Sequence, residues 1–255
     1  MRRDVAEVAA AALVESWRYL EAAIPNGWTR AGPGAIAMVT GVAIPTLNGV
    51  RVVSVDARAE VVADLLDQVA ATGLPHCLQA RPGVAEQLHD QAGARGMRLD
   101  EDIPLMVLDD SSGLISDATT DALLIRELRS AEAPAHARLA AAGFEVPAEP
   151  FLQLMTPSVL AAHGVRCYLG EVDREPVTTG VGITLGSYVG IFNIATPPAH
   201  RRRGYGAAVT ARAVADGVAA GANWAWLQSS RAGYRVYERL GFRTIEDWKC
   251  WLSTA

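Results

Sequence analysis

The spacing of apolar and polar positions changes period several times along the chain, and those changes divide it. The opening "MRRDVAEVAAAALVESW" carries an apolar run broken by Asp4, Glu7 and Glu15, which predicts an amphipathic first helix rather than a secretion signal. Much later, "RCYLGEV" (166–172), "VTTGVGITL" (177–185) and "YVGIFNIAT" (188–196) are short β-prone runs. "DREP" and "GS" separate them, so they read as an antiparallel meander of three strands. Pro197 and Pro198 end the third strand, because neither donates to a ladder. Ala207, Ala211, Val214 and Val218 then recur at helical spacing as far as Gly221, read as a C-cap. "WAWLQSS" (224–230) reads as a buried strand, "AGYRVYERLGF" (232–242) as a short helix ended by Gly241, and "RTIEDWKCWLS" (243–253) as a last strand.

The first part of the chain repeats the order of the second. A helix over 57–72, with Asp56 as its N-cap, leads to a strand "PHCLQA" (75–80) and a helix over 82–94. "GMRLDEDIPLMVL" (96–108) then lines up with "GFRTIEDWKCWL" (241–252) at a constant offset. Gly96, Arg98, Glu101 and Asp102 stand where Gly241, Arg243, Glu246 and Asp247 stand. A duplication is the favoured reading, and chance similarity over a dozen residues competes with it. The duplication predicts domains at 1–112 and 118–255, with the polar "DDSSGLISDATTDA" (109–122) as the linker.

Composition narrows the class. Of 255 residues half are hydrophobic and a fifth charged, enough for a packed core and against disorder. The net charge of -5 argues against a general nucleic-acid binder. Cys77, Cys167 and Cys250 are odd in number and far apart, so neither a disulfide framework nor a zinc site is implied. No stretch approaches the roughly 20 apolar residues of a membrane helix, and a soluble, cytoplasmic protein without a metal is expected.

The candidate chemistry centres on "ATPPAHRRRGYGAAV" (195–209), where a strand hands over to a helix. The first amides of a helix lack intrahelical partners and carry the positive end of its dipole. Gly204 and Gly206 remove the Cβ atoms that would keep a phosphate away from them, and Arg201, Arg202 and Arg203 add charge and bidentate donors. A solvated arginine run is the plainer reading of the same residues. Two other phosphate loops are excluded. There is no G-x-x-x-x-G-K-[ST], and a dinucleotide fingerprint would need glycine at Val209 within a parallel βαβ unit.

This arrangement resembles the GNAT superfamily of acyl-CoA-dependent N-acyltransferases. Arg201 through Gly206 match that family's [QR]-x-x-G-x-[GA] phosphate motif, and "SRAGYRVYERLGF" matches its asparagine-to-tyrosine segment, with Tyr237 at the tyrosine position. The resemblance covers residues 120–255 and implies a mixed-sheet α+β fold, present as two tandem copies of which the first has lost its phosphate loop. It implies acetyl-CoA as cosubstrate, held by Arg201, Arg202, Arg203, Gly204, Tyr205 and Gly206 at the pyrophosphate. Ile194 and Thr196 would pair through their backbone with the pantetheine arm where a bulge splays the strand, and Ser230 and Tyr237 would complete the site. Ser230 stands where the family has asparagine, and Gly233 where it often has alanine.

Acetyl transfer to an amine in a ternary complex needs a base, a partner for the oxyanion and a proton for the departing thiolate. The resemblance implies Tyr237 as the proton donor, with Tyr234 its neighbour and competitor. For the base, the strand before the phosphate loop offers Asn193 and no acid; Glu171 is the nearest carboxylate, and His163 and His200 read as loop histidines. The expected activity is N-acetylation of a small-molecule or peptide amine, with no nucleic-acid or membrane partner. The alternative is a catalytically silent CoA-binding protein. The first half, with Asp56 and Glu60 where glycines would be needed, is expected not to bind CoA and to shape the acceptor pocket.

Overall fold

A computed structural model describes residues 4–109 and 122–253. By compactness the chain forms two units, Met1–Leu105 with Thr244–Ala255, and Met106–Arg243. Of the expected linker, residues 110–121 lie outside the described residues.

The first unit opens on helix α1 (Val5–Ala22), capped by Asp4, whose carboxylate accepts from the amide of Ala6 at 3.1 Å. There follow β1 (Trp28–Gly32), β2 (Ala35–Val39), β3 (Asn48–Val52), helix α2 (Ala59–Ala70), β4 (Cys77–Ala80), helix α3 (Pro82–Ala94), β5 (Met97–Leu99) and β6 (Ile103–Leu108). β1, β2 and β3 form an antiparallel meander, and β3 then pairs parallel with β4 through the α2 crossover. The last strand of the chain, β12 (Arg243–Ser253), lies antiparallel to β4 in this unit and also pairs with β5. Val50, Val52, Leu66, Val69, Leu78 and Leu88 are among the buried residues of its core. Asp56 is not the cap of α2. The helix starts later, with Arg58 at the N-cap and no side-chain bond, because the Asp56 amide is turned to the Ser54 hydroxyl at 3.2 Å.

The second unit contains β7 (Leu124–Glu127), α4 (Ala133–Phe144), α5 (Glu149–Leu154), α6 (Pro157–Leu160), β8 (Val165–Val172), β9 (Glu175–Leu185), β10 (Tyr188–Ala195), α7 (Tyr205–Ala219), β11 (Trp224–Gln228) and α8 (Tyr234–Arg239). Its strands run in the order β6, β11, β10, β9, β8, β7, with β6 contributing from Met106 onward. The meander β7–β8–β9–β10 is antiparallel and β10–β11 is parallel, the same sequence of pairings as in the first unit. α7 lies close on β10: a Cβ on Gly217 would come within 2.7 Å of Val189, so only glycine lets the helix approach this far. Val189, Ile191, Val209, Ala213, Val214, Leu227 and Phe242 close the core beneath it. Both units thus carry the mixed α+β architecture expected of a tandem. They also exchange an end: Thr244 onward is built into the first unit, although the sequence reads it as the close of the second.

Candidate active site

The β10–β11 ladder is short. Its pairs run from Tyr188–Trp224 to Gly190–Trp226 and stop there. On the other side of β10 the register slips between Phe192–Val181 and Ala195–Thr179, so three steps on β10 answer two on β9. The extra residue is a β-bulge, and it falls at Asn193, whose φ of 50° is left-handed. Asparagine tolerates that region better than most residues, which is a physical reason for a polar residue in the middle of this strand. Asn193 and Ile194 therefore stand outside both ladders, beside the unpaired gap between β10 and β11. The first unit has no counterpart, since β3 and β4 stay paired over all four positions from Gly49–Cys77 to Val52–Ala80.

The arginine-glycine turn lies just beyond this gap. Arg202 (φ 61°) and Gly204 (φ 78°) both take left-handed backbone, and Gly204 is the N-cap of α7. A turn of this kind points successive N–H groups into one concavity, which suits an anion. Ala208 is the first amide bonded within the helix, at 3.0 Å to the carbonyl of Gly204, so those of Tyr205, Gly206 and Ala207 precede the helical ladder. The Tyr205 side chain is buried, and the group it offers at the turn is its N–H. Gly206 sits against β10, and a Cβ there would make ordinary contacts of 3.5 Å with Ile194 and 3.7 Å with Thr196.

The three arginines divide in role. Arg201 donates from Nη2 to the carbonyl of Gly143 at 2.8 Å and to Glu145 at 3.0 Å, and from Nε to the carbonyl of Thr196 at 3.2 Å. It braces the turn against the end of α4, while Arg202 and Arg203 extend from it, exposed. Thr196 is held further by its hydroxyl, 2.9 Å from that of Thr178. No local pattern signals this brace, because Gly143 and Glu145 are remote from Arg201 in the chain.

Ser230 lies two residues beyond β11, with its hydroxyl accepting from the amide of Gly233 at 3.2 Å. It starts the turn into α8 and retains its own proton for donation. Tyr237 is half-buried on α8, edge-on to Phe242 with ring centres 6.1 Å apart. Burial holds its phenol above the ordinary tyrosine value, so it carries its proton at neutral pH. Gly233 lies beneath this ring, and a Cβ there would stand 3.0 Å from Tyr237 Cε2. Departure from the alanine usual in the family thus gives the tyrosine room.

Glu171 is engaged elsewhere. Its carboxylate meets Arg126 Nη2 at 2.6 Å, in a network with Glu132 and Arg129, and β9 lies between its strand and β10. His163 is exposed ahead of β8, and His200 is half-buried in the turn before Arg201. A residue the sequence reading passed over is His136 on α4. It is fully buried, with Nδ1 2.7 Å from the hydroxyl of Thr179, the residue paired with Ala195 at the bulge. The Thr179 hydroxyl donates to the carbonyl of Tyr168 at 2.8 Å, so it accepts from His136. Burial pushes His136 down to about 4, and the ring is neutral.

Residues 125–242 match the acetyltransferase (GNAT) family. The chain carries a GNAT acetyltransferase domain. The residues matched span the meander, the bulge, the arginine-glycine turn and α8. Solved structures extend the likeness of fold to both units. A GCN5-related N-acetyltransferase from Kribbella flavida is 18% identical, with 99% of this chain and 97% of that chain covered at a TM-score of 0.75. One from Sphaerobacter thermophilus is 14% identical, with 95% and 84% covered at a TM-score of 0.59. A tandem GNAT protein from the clavulanic acid biosynthesis pathway is 14% identical, with 90% and 84% covered at a TM-score of 0.55. No curated protein matches the sequence. Among the described residues no helix of the GNAT domain or the first unit is long and apolar enough to cross a membrane, and no group of three or more metal-ligating side chains forms.

Proposed function

We propose that the GNAT domain transfers an acetyl group from acetyl-CoA to a primary amine of a small molecule or peptide, in a ternary complex and in the cytoplasm. The observation that carries this reading is the bulge at Asn193. It lies beyond the last β10–β11 pair, Gly190–Trp226, and ahead of the left-handed turn that opens α7. A gap with unladdered backbone groups on one side, followed by a concavity of amide donors, suits a ligand with an amide-bearing arm and a pyrophosphate.

In this reading Gly204, Tyr205 and Gly206 offer backbone N–H groups to the pyrophosphate, and Arg202 and Arg203 add charge. Arg201 holds the turn in shape. Ile194, and Thr196 through its amide, offer backbone groups to the pantetheine arm, and Ser230 offers its hydroxyl. Acetyl-CoA supplies the activated acetyl group. Unladdered N–H groups at the bulge polarise the thioester carbonyl as charge builds on its oxygen. Tyr237, which keeps its proton at neutral pH, hands it to the departing sulfur. Glu171 is the carboxylate that the sequence offers as base, but its pair with Arg126 supports a structural role. Deprotonation of the amine is left to water reaching the gap. A silent CoA-binding role is not favoured, because residues 125–242 match an acetyltransferase family.

Two measurements on the full chain test the reading. Calorimetric titration is expected to give one acetyl-CoA per chain, since β3 and β4 leave no gap in the first unit. Incubation with acetyl-CoA and a panel of amines is expected to release free thiol with at least one of them. Two bound molecules would show the first unit to be a second site. Binding without thiol release across amines of every class would leave a CoA-binding protein.

A further inference from the structure

Arg51 on β3 is 1% exposed, with its whole side chain inside the first unit. Nη2 donates to the carbonyl of Thr46 at 2.6 Å, and the guanidinium carbon lies 4.7 Å from the centre of the Trp17 ring. Among the described residues Nε and Nη1 have no hydrogen-bond partner, and no carboxylate forms an ion pair with the group. A guanidinium does not give up its proton inside a protein, and a lone buried cation is strongly destabilising. Something in this interior must carry the opposite charge.

The strand registers show what faces Arg51. It pairs with Gln79 across β3–β4, and Gln79 pairs with Cys250 across β4–β12. Cys77, two residues before Gln79, shares that face of the sheet. Both thiols are fully buried, and they are the ionisable groups that share this face of the sheet with Arg51. Three carboxylates on the surrounding elements have other partners. Glu21 of α1 accepts from Thr29 at 2.6 Å, while Glu7 of α1 and Glu246 of β12 hold Arg81 at 2.5 and 2.6 Å. Asp100 adds only a minor negative field at Cys250.

We propose that Cys77 is a thiolate in the folded protein, accepting a hydrogen bond from the Cys250 thiol and forming a buried ion pair with Arg51. The proton is released to solvent on folding, and the interior becomes neutral. The hydrogen bond from Cys250, and then the Arg51 charge, hold Cys77 below the ordinary thiol value against the effect of burial. Cys250 is pushed up by the same hydrogen bond, and burial pushes Cys167 up to about 12. All three sulfurs are shielded from solvent, so ionisation and not exposure singles out Cys77 as the nucleophilic one.

The test is the ultraviolet thiolate band of the folded full-length chain at neutral pH. The expected result is about one thiolate per chain, lost in Cys77→Ser and retained in Cys167→Ser. Arg51→Met is expected to lose the band too, because a neutral side chain removes the reason for ionisation. Should that variant fail to fold, the two cysteine variants still decide. Absence of the band in the wild-type protein, or its survival in Cys77→Ser, overturns the assignment.

Discussion

The guanidinium of Arg201 donates to the carbonyl of Gly143 at 2.8 Å, joining the arginine-glycine turn to the end of α4. The first arginine of the run is therefore a brace, and the next two are free to meet an anion. Arg202→Ala and Arg203→Ala are each expected to raise the Kd for acetyl-CoA by roughly tenfold at low salt, one lost charge-assisted contact apiece. The effect should shrink at high salt, because exposed charges are screened. Glu145→Gln is expected to change affinity less than about twofold, since the pair it removes is exposed on both sides. Titration calorimetry at two ionic strengths reads all three.

Gly204 and Gly206 differ in what they require. Gly204 caps α7 at φ 78°, a conformation strained for any side chain and most of all for a β-branched one. Gly204→Val is expected to abolish acetyl-CoA binding by calorimetry and to lower thermal stability. Gly206→Ala should fold with an unchanged melting temperature, because its Cβ meets Ile194 and Thr196 only at ordinary contact distance. Its affinity should fall less than about tenfold, since the helix amides stay in place.

Tyr237→Phe should leave acetyl-CoA affinity nearly unchanged while kcat falls by about 10²- to 10⁴-fold, the usual worth of a general acid. The ring keeps its edge contact with Phe242, so only the proton is removed. Steady-state kinetics beside direct binding separate the two effects. An unchanged kcat assigns the proton to another donor, with Tyr234 the first to examine.

Glu171→Gln tests the alternative for the base. With its carboxylate pinned to Arg126, its removal should lower kcat by less than about tenfold and lower the melting temperature, because Arg126 loses one of its two carboxylate partners. A fall in kcat of about 100-fold or more at unchanged stability would make Glu171 the base.

His136 predicts how the domain responds to acid. Its folded value of about 4 lies below the ordinary 6.5, so the unfolded chain takes up a proton first as pH falls. Stability on the order of 3 kcal/mol is therefore present above pH 6.5 and lost as pH drops from there to about 4. Denaturant midpoints across that window should decline in the wild-type chain and decline less steeply in His136→Gln, whose amide cannot titrate.

The sequence by itself determined the elements from β8 to α8, their order and the place of the arginine-glycine turn. Those features are local: alternation along a strand, helical spacing after it, and glycines where a backbone must turn left-handed. For the same reason it located Tyr237 on the short α8 and Ser230 in the turn before it. Tertiary structure decided the rest, because the deciding contacts join residues far apart in the chain. The bulge at Asn193 exists only relative to β9 and β11, Arg201 becomes a brace only where α4 ends beside it, and Glu171 is committed only because Arg126 lies on the next strand. The last strand, legible as a strand, could not reveal that it would pair with β4. Strand partnering is set by which unfilled edge the chain reaches when it folds, and no local pattern of residues records that.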